Sequence, residues 1–283
     1  CGNYGDPAFA NDCLEIYSYV RECNPTVRLG IHTNGGMRNP EWWTKLAQHN
    51  IDVAFAVDGF KGKHELYRKN TKFDKVIENL KAFCDAGGIA RVDSLVFEHN
   101  EHEVDELESY LLSLGVQEVN FVSTTRFYEM KEFEVHDNNG NVEYTIAPAQ
   151  TERFKKTPNN SLNALVDPAV RNAAVESAII EPKCVTEKGV YIDPYGNIFP
   201  CCWIGGEYIE QPVEEKLPIH YLRNLSVNNT KTILKTVGVP NCHDAVLNTN
   251  ENLFKKMPDF WQGKNKCLTC VKVCSKALYD SRK

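Results

Sequence analysis

The sequence lacks the features that mark several specialised classes of protein. No apolar run approaches the roughly 18 residues that a transmembrane helix needs. No block of lysine and arginine indicates a nucleic-acid groove or a membrane surface, and no internal repeat is visible. The composition that remains, 42% hydrophobic and 25% charged with a net charge of −6, is ordinary for a globular protein. We therefore expect neither nucleic acid nor a membrane as a partner.

The first residue and the cysteine content of the chain bear on the cellular compartment of the protein. The first residue is Cys1 rather than methionine, and no signal peptide follows, which indicates that upstream sequence is missing. The chain contains 11 cysteines, an odd number unevenly spread, which argues against a framework made only of disulfides. Metal-binding thiols in a reducing compartment are the preferred interpretation, so a cytoplasmic location is expected. An ordinary α/β enzyme with disulfides is a competing interpretation.

Residues 1–128 alternate short apolar segments with amphipathic ones. Asn39 followed by Pro40 is the expected start of one helix, and glycines end the later helices. Strands are expected at residues 27–33, 51–57, 89–97 and 116–123, and helices at 7–23, from residue 40, at 73–86 and at 101–114. This order predicts right-handed βαβ units and a parallel sheet, in which ligands bind at the carboxyl ends of the strands.

The rest of the chain has a different character. Residues 129–180 are polar and weakly periodic, which predicts a connector with limited structure. Residues 181–283 form a cysteine-rich segment in which the run from Asp193 to Gly196 predicts a hairpin turn. Short helices are expected there at about residues 229–236 and 250–254. The sequence thus predicts an α/β domain, a connector and a small second domain.

Five cysteines of the last segment have the spacing of metal ligands. Cys184 and Cys201 come first, and Cys267, Cys270 and Cys274 follow far downstream in a C-x2-C-x3-C arrangement. Thiolates two or three residues apart can turn onto one centre, and soft sulfur ligands select zinc or iron–sulfur clusters. The spacing alone leaves both kinds of centre open.

Several stretches, taken in order, resemble the radical S-adenosylmethionine enzymes. The segment Gly2-Asn3-Tyr4-Gly5-Asp6-Pro7 resembles the family's Gly-Gly-Glu-Pro loop, which contacts the amino group of the methionine part. Thr33-Asn34-Gly35 resembles the end of the family's third strand. Asp58-Gly59, followed by His64 and Arg68, resembles its D-G…H…R stretch. Cys184, Gly196-x4-Cys201 and the terminal cysteines resemble its C-terminal extension, known as the SPASM or twitch domain. The resemblance spans almost the whole chain.

The resemblance implies both a fold and an activity. The fold would be a partial (β/α)6 barrel without its first βα unit, followed by a small cysteine-rich α+β domain. The intact protein would be an enzyme that cleaves S-adenosylmethionine reductively to a 5′-deoxyadenosyl radical, which abstracts hydrogen from its substrate. A peptide or small-molecule substrate and an electron donor such as a flavodoxin or ferredoxin are the implied partners. Cofactor contacts would come from Gly2, Asn3, Tyr4, Gly5, Asp6, Thr33 and Asn34.

Other polar residues follow strand ends and are expected near the cofactor. Asp58 and Asp6 could accept hydrogen bonds from ribose hydroxyls or an ammonium group, although helix N-capping explains aspartate at such positions equally well. Asn100 could reach the barrel mouth. Arg126 could meet a carboxylate of cofactor or substrate, and a surface salt bridge is its alternative.

The chain departs from the family pattern in two ways. The C-x3-C-x2-C that holds the catalytic [4Fe–4S] cluster is absent, and in the family it would precede Cys1, so this fragment alone is expected to be inactive. The terminal C-x2-C-x3-C is also shorter than the full SPASM pattern, which favours one auxiliary [4Fe–4S] cluster, as in the twitch variant. By this resemblance the first choice of ligands is Cys184, Cys201, Cys270 and Cys274, with Cys267 nearly as good and with Cys202 and Cys242 spare.

A function from another class competes with this one. A structural zinc held by four cysteines uses similar spacing. The chain would then be a non-catalytic binding protein in which the α/β domain only presents a surface.

Overall fold

Most of the chain can be described in a computed structural model. The structure describes residues 5–124, 127, 132–155, 165–187, 189–193, 195–212, 214, 218–240, 253 and 255–275. Its internal packing divides the chain into two units, Cys1–Pro158 and Asn159–Lys283. Among the described residues, no helix is both long enough and apolar enough to cross a membrane.

The first unit is built on a parallel sheet of four strands in the order β1-β2-β3-β4. Its strands are β1 (Leu29–Thr33), β2 (Ile51–Ala56), β3 (Ile89–Val96) and β4 (Glu118–Ser123). Helices α1 (Cys13–Cys23), α2 (Pro40–Ala47), α3 (His64–Tyr67), α4 (Phe73–Asp85) and α5 (Val104–Ser113) lie between and before them, and a short 3-10 turn spans Pro7–Phe9. The predicted mixed α/β fold with a parallel sheet is confirmed.

Side chains on one face of this sheet form the core. Ile31, Val53 and Phe55 are buried completely or nearly so, because the apolar faces of α2 and α4 pack over them. Trp43 packs on Phe55 with ring centroids 5.0 Å apart, and it also meets Phe83 of α4. This packing fixes the sheet, so that the ends of its strands can hold polar groups in defined places.

Two predicted helices are shorter in the structure than the periodicity indicated. The segment 7–23 is broken between the 3-10 turn and α1, because Ala10 adopts extended backbone angles. Helix α5 starts at Val104 rather than at Glu101. The buried Glu101 carboxylate instead accepts hydrogen bonds from the backbone N–H groups of Gln150 and Thr151, each at 2.8 Å. At Glu101, tertiary contacts therefore overrule the local pattern.

The N-cap predicted for α2 is present and gives a first test of the fold. Asn39 Oδ1 accepts a hydrogen bond from the Trp42 N–H at 3.0 Å. We expect Asn39→Ala to lower the free energy of unfolding by about 1 kcal/mol, because the first turn loses its side-chain acceptor. Asn39→Asp is the control, since aspartate caps equally well. Urea unfolding of both variants measures the effect, and equal losses in the two would contradict the capping role.

The segment expected to be a connector with limited structure holds regular elements instead. Strands β5 (Phe133–His136) and β6 (Val142–Ile146) form an antiparallel hairpin, and helix α6 spans Pro168–Ser177. The hairpin belongs to the first unit, where the Tyr144 hydroxyl donates to the Leu66 carbonyl at 2.7 Å. Apolar and polar residues alternate in both strands, over Phe133–His136 and over Val142–Ile146, so a local signal for the hairpin is present in the sequence.

The second unit is small and built around short elements. Besides α6 it contains α7 (Lys183–Thr186), β7 (Tyr191–Ile192), β8 (Ile198–Phe199), α8 (Cys202–Ile209), α9 (Pro218–Val237) and α10 (Leu268–Cys274). The predicted hairpin is confirmed, with the Asp193 carboxylate accepting from the backbone N–H groups of Tyr195 and Asn197. The helix expected at 229–236 is part of the longer α9. The one expected at 250–254 lies mostly outside the described residues.

Candidate functional site

A cavity of about 480 Å³ lies at the carboxyl ends of the parallel strands. Ligand sites in sheets of this type occur at this edge, and the volume is within the range of small-molecule pockets. Its lining is Gly5, Asp6, His32, Thr33, Asn34, Ala54, Phe55, Ala56, Arg68, Asp93, Ser94, Leu95 and Val122. The structure thus brings together four residues that the sequence placed near a cofactor: Gly5, Asp6, Thr33 and Asn34.

Asp6 joins the N-terminal loop to the end of β1. Its Oδ2 accepts hydrogen bonds from Thr33 Oγ1 at 2.7 Å and from the Asn34 N–H at 2.8 Å. Its Oδ1 caps the 3-10 turn by accepting from the Ala8 N–H at 3.0 Å. The capping alternative for Asp6 is therefore present in the structure. Asp6 and Thr33 hold the loop in place. A direct contact between Asp6 and a ligand stays a prediction.

Asp58 and Asn100 tie the ends of β2 and β3 together instead of lining the cavity. Asp58 is fully buried, and its two oxygens accept from Arg68 Nε and from the Leu95 N–H, each at 2.7 Å. Asn100 Nδ2 donates to the backbone carbonyls of Asp58 and Leu95 at 3.2 and 2.9 Å, while its Oδ1 accepts from the Phe97 N–H. Asp58 and Asn100 therefore influence the cavity indirectly: they fix the backbone at the strand ends, and Asp58 also fixes the position of Arg68.

Arg68 is the residue that this network presents to the cavity. Its side chain is 27% exposed, and its Nε is fixed by the buried Asp58 carboxylate. Its terminal Nη atoms have no hydrogen-bond partner among the described residues, so they are available to a ligand. A guanidinium held in this way suits a carboxylate. Arg68 belongs to the D-G…H…R stretch, but the sequence alone offered no reason to expect its guanidinium at the cavity.

His64 of the same stretch is structural. Its Nδ1 accepts a hydrogen bond from the Asp58 N–H at 3.1 Å, which requires an unprotonated Nδ1. Burial lowers the pKa of His64, and the neutral ring that results is the form this contact needs. The ring thereby fixes the backbone at Asp58, on which the position of Arg68 depends.

A second polar group on the sheet was not foreseen from the sequence. Arg91 Nη2 donates to His32 Nε2 at 3.2 Å, and Asp93 Oδ2 lies 3.6 Å from His32 Nδ1. Asn120 Nδ2 donates to Asp93 Oδ1 at 3.2 Å. Burial first and Arg91 second lower the pKa of His32. His32 and Asp93 line the cavity, so it offers both an acceptor and a donor beside Arg68.

Four of the expected cofactor residues cannot be placed. Gly2, Asn3, Tyr4 and Arg126 lie outside the described residues, so their roles stay predictions.

The second unit brings the five predicted cysteine ligands into one region. Cys184 lies in α7, Cys201 directly precedes α8, and Cys267, Cys270 and Cys274 belong to the start and end of α10. None of the nine cysteines that the structure describes forms a disulfide. The backbone also joins the two stretches, because the Glu181 N–H donates to the Cys274 carbonyl at 2.7 Å.

The thiols of this region affect one another. Burial and then the charge of Cys274 raise the pKa of Cys184. Burial raises the pKa of Cys201 to about 12, with a further contribution from Cys184, while the N–H groups at the start of α8 oppose it. The proximity of Cys267 and Cys270 raises the pKa of Cys270 and lowers that of Cys267, and Cys201 adds to the rise at Cys270. The cysteines of the two stretches therefore lie close enough to interact.

These thiols fit a soft metal or an iron–sulfur cluster by their chemistry. Cys267 and Cys270 are 0% and 8% exposed within the apolar core of the unit. Several thiolates in such a place need a cation to offset their mutual repulsion. Within the described residues, however, no group of three or more His, Cys, Asp or Glu side chains is close enough to hold a metal ion. The ligand set therefore stays a prediction.

Comparisons with known proteins found similarity among solved structures only. No family model and no curated protein matches the chain. SuiB of Streptococcus suis, solved with its precursor peptide SuiA, is 13% identical with a TM-score of 0.43, over 78% of this chain and 52% of SuiB. The protein anSMEcpe, solved with bound AdoMet, is 13% identical with a TM-score of 0.45, over 80% of this chain and 65% of anSMEcpe.

A third similar structure is that of the radical S-adenosylmethionine methyltransferase TsrM from Kitasatospora setae. It is 13% identical with a TM-score of 0.36, over 57% of this chain and 41% of TsrM. Similarity at this level does not assign an activity to the chain. The chain spans about half the length of SuiB.

Proposed function

We propose that this chain is part of a radical S-adenosylmethionine enzyme, with the S-adenosylmethionine site in the cavity at the strand ends. The observation that carries the proposal is the convergence of Gly5, Asp6, Thr33 and Asn34 with a fixed Arg68 around one cavity. These residues come from the stretches whose sequence resembles the family. Residues 1–128 would form the barrel part, 181–283 the metal domain, and 129–180 the segment between them.

The cavity offers groups that match the polar parts of S-adenosylmethionine. The free Nη atoms of Arg68 suit the carboxylate of the methionine part. Asp93, which lines the same cavity, can accept hydrogen bonds from ribose hydroxyls. Asn34 Oδ1 is used by the Gly36 N–H at 2.9 Å, and its Nδ2 has no partner among the described residues. Asn34 therefore has a donor left for the ligand.

The chemistry would come from the bound molecule, and the chain would supply its position. S-adenosylmethionine, when cleaved reductively, supplies a 5′-deoxyadenosyl radical that abstracts hydrogen from a substrate. The residues of this chain would bind the methionine carboxylate and orient the ribose. The substrate proposed is a peptide or a small molecule, and the proposed electron donor is a flavodoxin or a ferredoxin. The C-x3-C-x2-C motif is absent from the sequence, so reductive cleavage is assigned to no residue of this chain.

The second unit would hold one auxiliary [4Fe–4S] cluster. Cys184, Cys201, Cys270 and Cys274 are the proposed ligands, and Cys267 is the alternative to one of them. Two observations support this assignment: Cys201, Cys267 and Cys270 lie in or against the apolar core of the unit, and the Glu181 N–H bonds to the Cys274 carbonyl. Zinc held by the same thiolates is the alternative occupant.

Ligand binding tests the assignment of the cavity. We expect Arg68→Lys to weaken S-adenosylmethionine binding about tenfold, because lysine keeps the charge but cannot hold a carboxylate through two N–H groups. Binding of 5′-methylthioadenosine, which has no carboxylate, is expected to change little. Isothermal titration calorimetry of both ligands with both proteins measures the difference.

The control for this experiment lies at the opposite end of β1. Arg28→Lys changes an exposed guanidinium whose Nε contacts Asp52 at 2.9 Å, and it should leave both affinities unchanged. If Arg68→Lys weakens the two ligands equally, Arg68 does not bind the carboxylate. If S-adenosylmethionine fails to bind the unaltered chain, the proposed site is wrong.

A further inference from the structure

A buried carboxylate lies beside the cysteine pair at the start of α10. Glu207 of α8 is 8% exposed, and three hydroxyl groups donate to it. Ser226 Oγ lies 2.8 and 2.9 Å from its two oxygens, and Thr230 Oγ1 lies 3.0 Å from Oε2. Thr269 Oγ1 makes a short hydrogen bond to Oε2 as well. All three hydroxyl residues are at most 5% exposed.

The hydroxyl groups connect Glu207 to the cysteines. Thr269 lies between Cys267 and Cys270 in the sequence, so its hydrogen bond fixes the turn that carries both sulfurs. Thr230 Oγ1 lies 2.8 Å from Thr269 Oγ1 and 3.9 Å from Cys267 Sγ. Glu207 is therefore linked to this turn in two ways. It accepts directly from the Thr269 hydroxyl, and it also accepts from Thr230, whose hydroxyl lies next to the Cys267 sulfur.

Helix α9 presents these groups from a single face. Ser226 and Thr230 are four residues apart and thus lie one above the other on the helix. Asn229 of the same helix accepts a hydrogen bond from the Leu268 N–H at 2.8 Å, which caps the start of α10. The turn from Cys267 to Cys270 is therefore held at its backbone, at Thr269 and at a sulfur.

The number of donor protons explains why three hydroxyl groups next to Glu207 are useful. An ionised carboxylate only accepts, and each hydroxyl has one proton to donate. Ser226 and Thr269 can satisfy Glu207 on their own, which leaves the Thr230 proton free to face either Glu207 or the Cys267 sulfur. Thr230 can thus donate to a metal-bound thiolate without leaving Glu207 unpaired.

We propose that Glu207 is a positioning residue for the metal centre of the second unit, acting through Ser226, Thr230 and Thr269 on Cys267 and Cys270. The inference rests on the proposed metal site, and it goes beyond that site by assigning its outer hydrogen-bond shell. Such outer partners orient the ligands and typically contribute a factor of 10 to 100 to metal affinity. Donors to cluster sulfurs also raise the reduction potential of an iron–sulfur cluster.

The affinity for Zn²⁺ tests the role of Glu207 with a readout other than activity. We expect Glu207→Gln to weaken Zn²⁺ binding about 10- to 100-fold in a chelator competition, because the amide offers the hydroxyls one acceptor and one donor. The matched control is Glu176→Gln, which makes the same change at an exposed position of α6 and should bind Zn²⁺ like the unaltered chain.

A second variant keeps the inference testable if Glu207→Gln does not fold. Thr230→Val removes the hydroxyl next to Cys267 but leaves Glu207 with two donors. It should weaken Zn²⁺ binding and, after anaerobic loading with iron and sulfide, shift the reduction potential to more negative values. Affinities and potentials equal to those of the unaltered chain in every folded variant would overturn the outer shell and leave the metal site intact. An unaltered chain that binds neither Zn²⁺ nor a cluster would overturn both.

Discussion

Replacing Cys270 with alanine is expected to remove most of the metal that the second unit binds. Four thiolates that share an apparent binding free energy of about 10–16 kcal/mol contribute roughly 3 kcal/mol each, which is more than a hundredfold in affinity. Cys270 is 8% exposed and interacts with both Cys267 and Cys201, so water cannot easily take its place. Cys201→Ala and Cys184→Ala should have similar effects.

The measurement also decides between the two possible occupants. The unaltered chain is loaded with iron and sulfide under anaerobic conditions, and iron, sulfide and zinc are then quantified. A brown product with a broad visible band supports the cluster, whereas one zinc per chain without colour supports the structural zinc. Cys23→Ala is the control, because Cys23 is exposed and lies in the first unit. Full metal content in Cys270→Ala would remove Cys270 from the ligand set.

The second large effect is expected from Asp58→Asn. Asp58 is fully buried and pairs with Arg68, so the change leaves a mostly buried guanidinium without its counter-charge. Removing one partner of such a pair typically costs about 3–5 kcal/mol. The loss should also free Arg68 from its fixed position. We therefore expect Asp58→Asn to weaken S-adenosylmethionine binding along with the stability of the first unit.

Amide hydrogen exchange on peptides from β2 and β3 measures the stability change in the first unit alone. Asp93→Asn is the matched control, since Asp93 is 38% exposed and its contact with His32 is long at 3.6 Å. An effect of at most about 1 kcal/mol is expected there. A double variant with Arg68→Met should recover part of the loss, because it removes the unpaired charge. A loss in Asp58→Asn no larger than in Asp93→Asn would contradict the role of the pair.

The two units make separate contributions if both proposals hold. The cavity of the first unit would bind S-adenosylmethionine through Arg68. The thiols of the second unit would hold a cluster whose ligands are oriented by Glu207. Variants in one unit should therefore leave the binding property of the other unchanged.

The sequence by itself determined the elements whose signals are local. The apolar segments of β1 to β4 and the helices between them follow from periodicity, and the α2 cap follows from Asn39 and Pro40. The hairpin of β7 and β8 follows from the turn residues around Asp193, whose carboxylate bonds to its own chain two and four residues on. In each case the deciding interactions lie within a few residues.

Only the tertiary structure decided which polar residues are available to a ligand. Asp58 looked like a cofactor residue, yet its Oδ1 accepts from the N–H of Leu95, which lies 37 residues away in the sequence, and this contact uses an oxygen that a ligand would need. The other oxygen of Asp58 holds Arg68 Nε, so Arg68 is the residue that lines the cavity. Glu207 and Thr269 are 62 residues apart, and no local pattern links them. The sequence gives the chemical type of each side chain, but only distant contacts show which groups are already paired and which remain free.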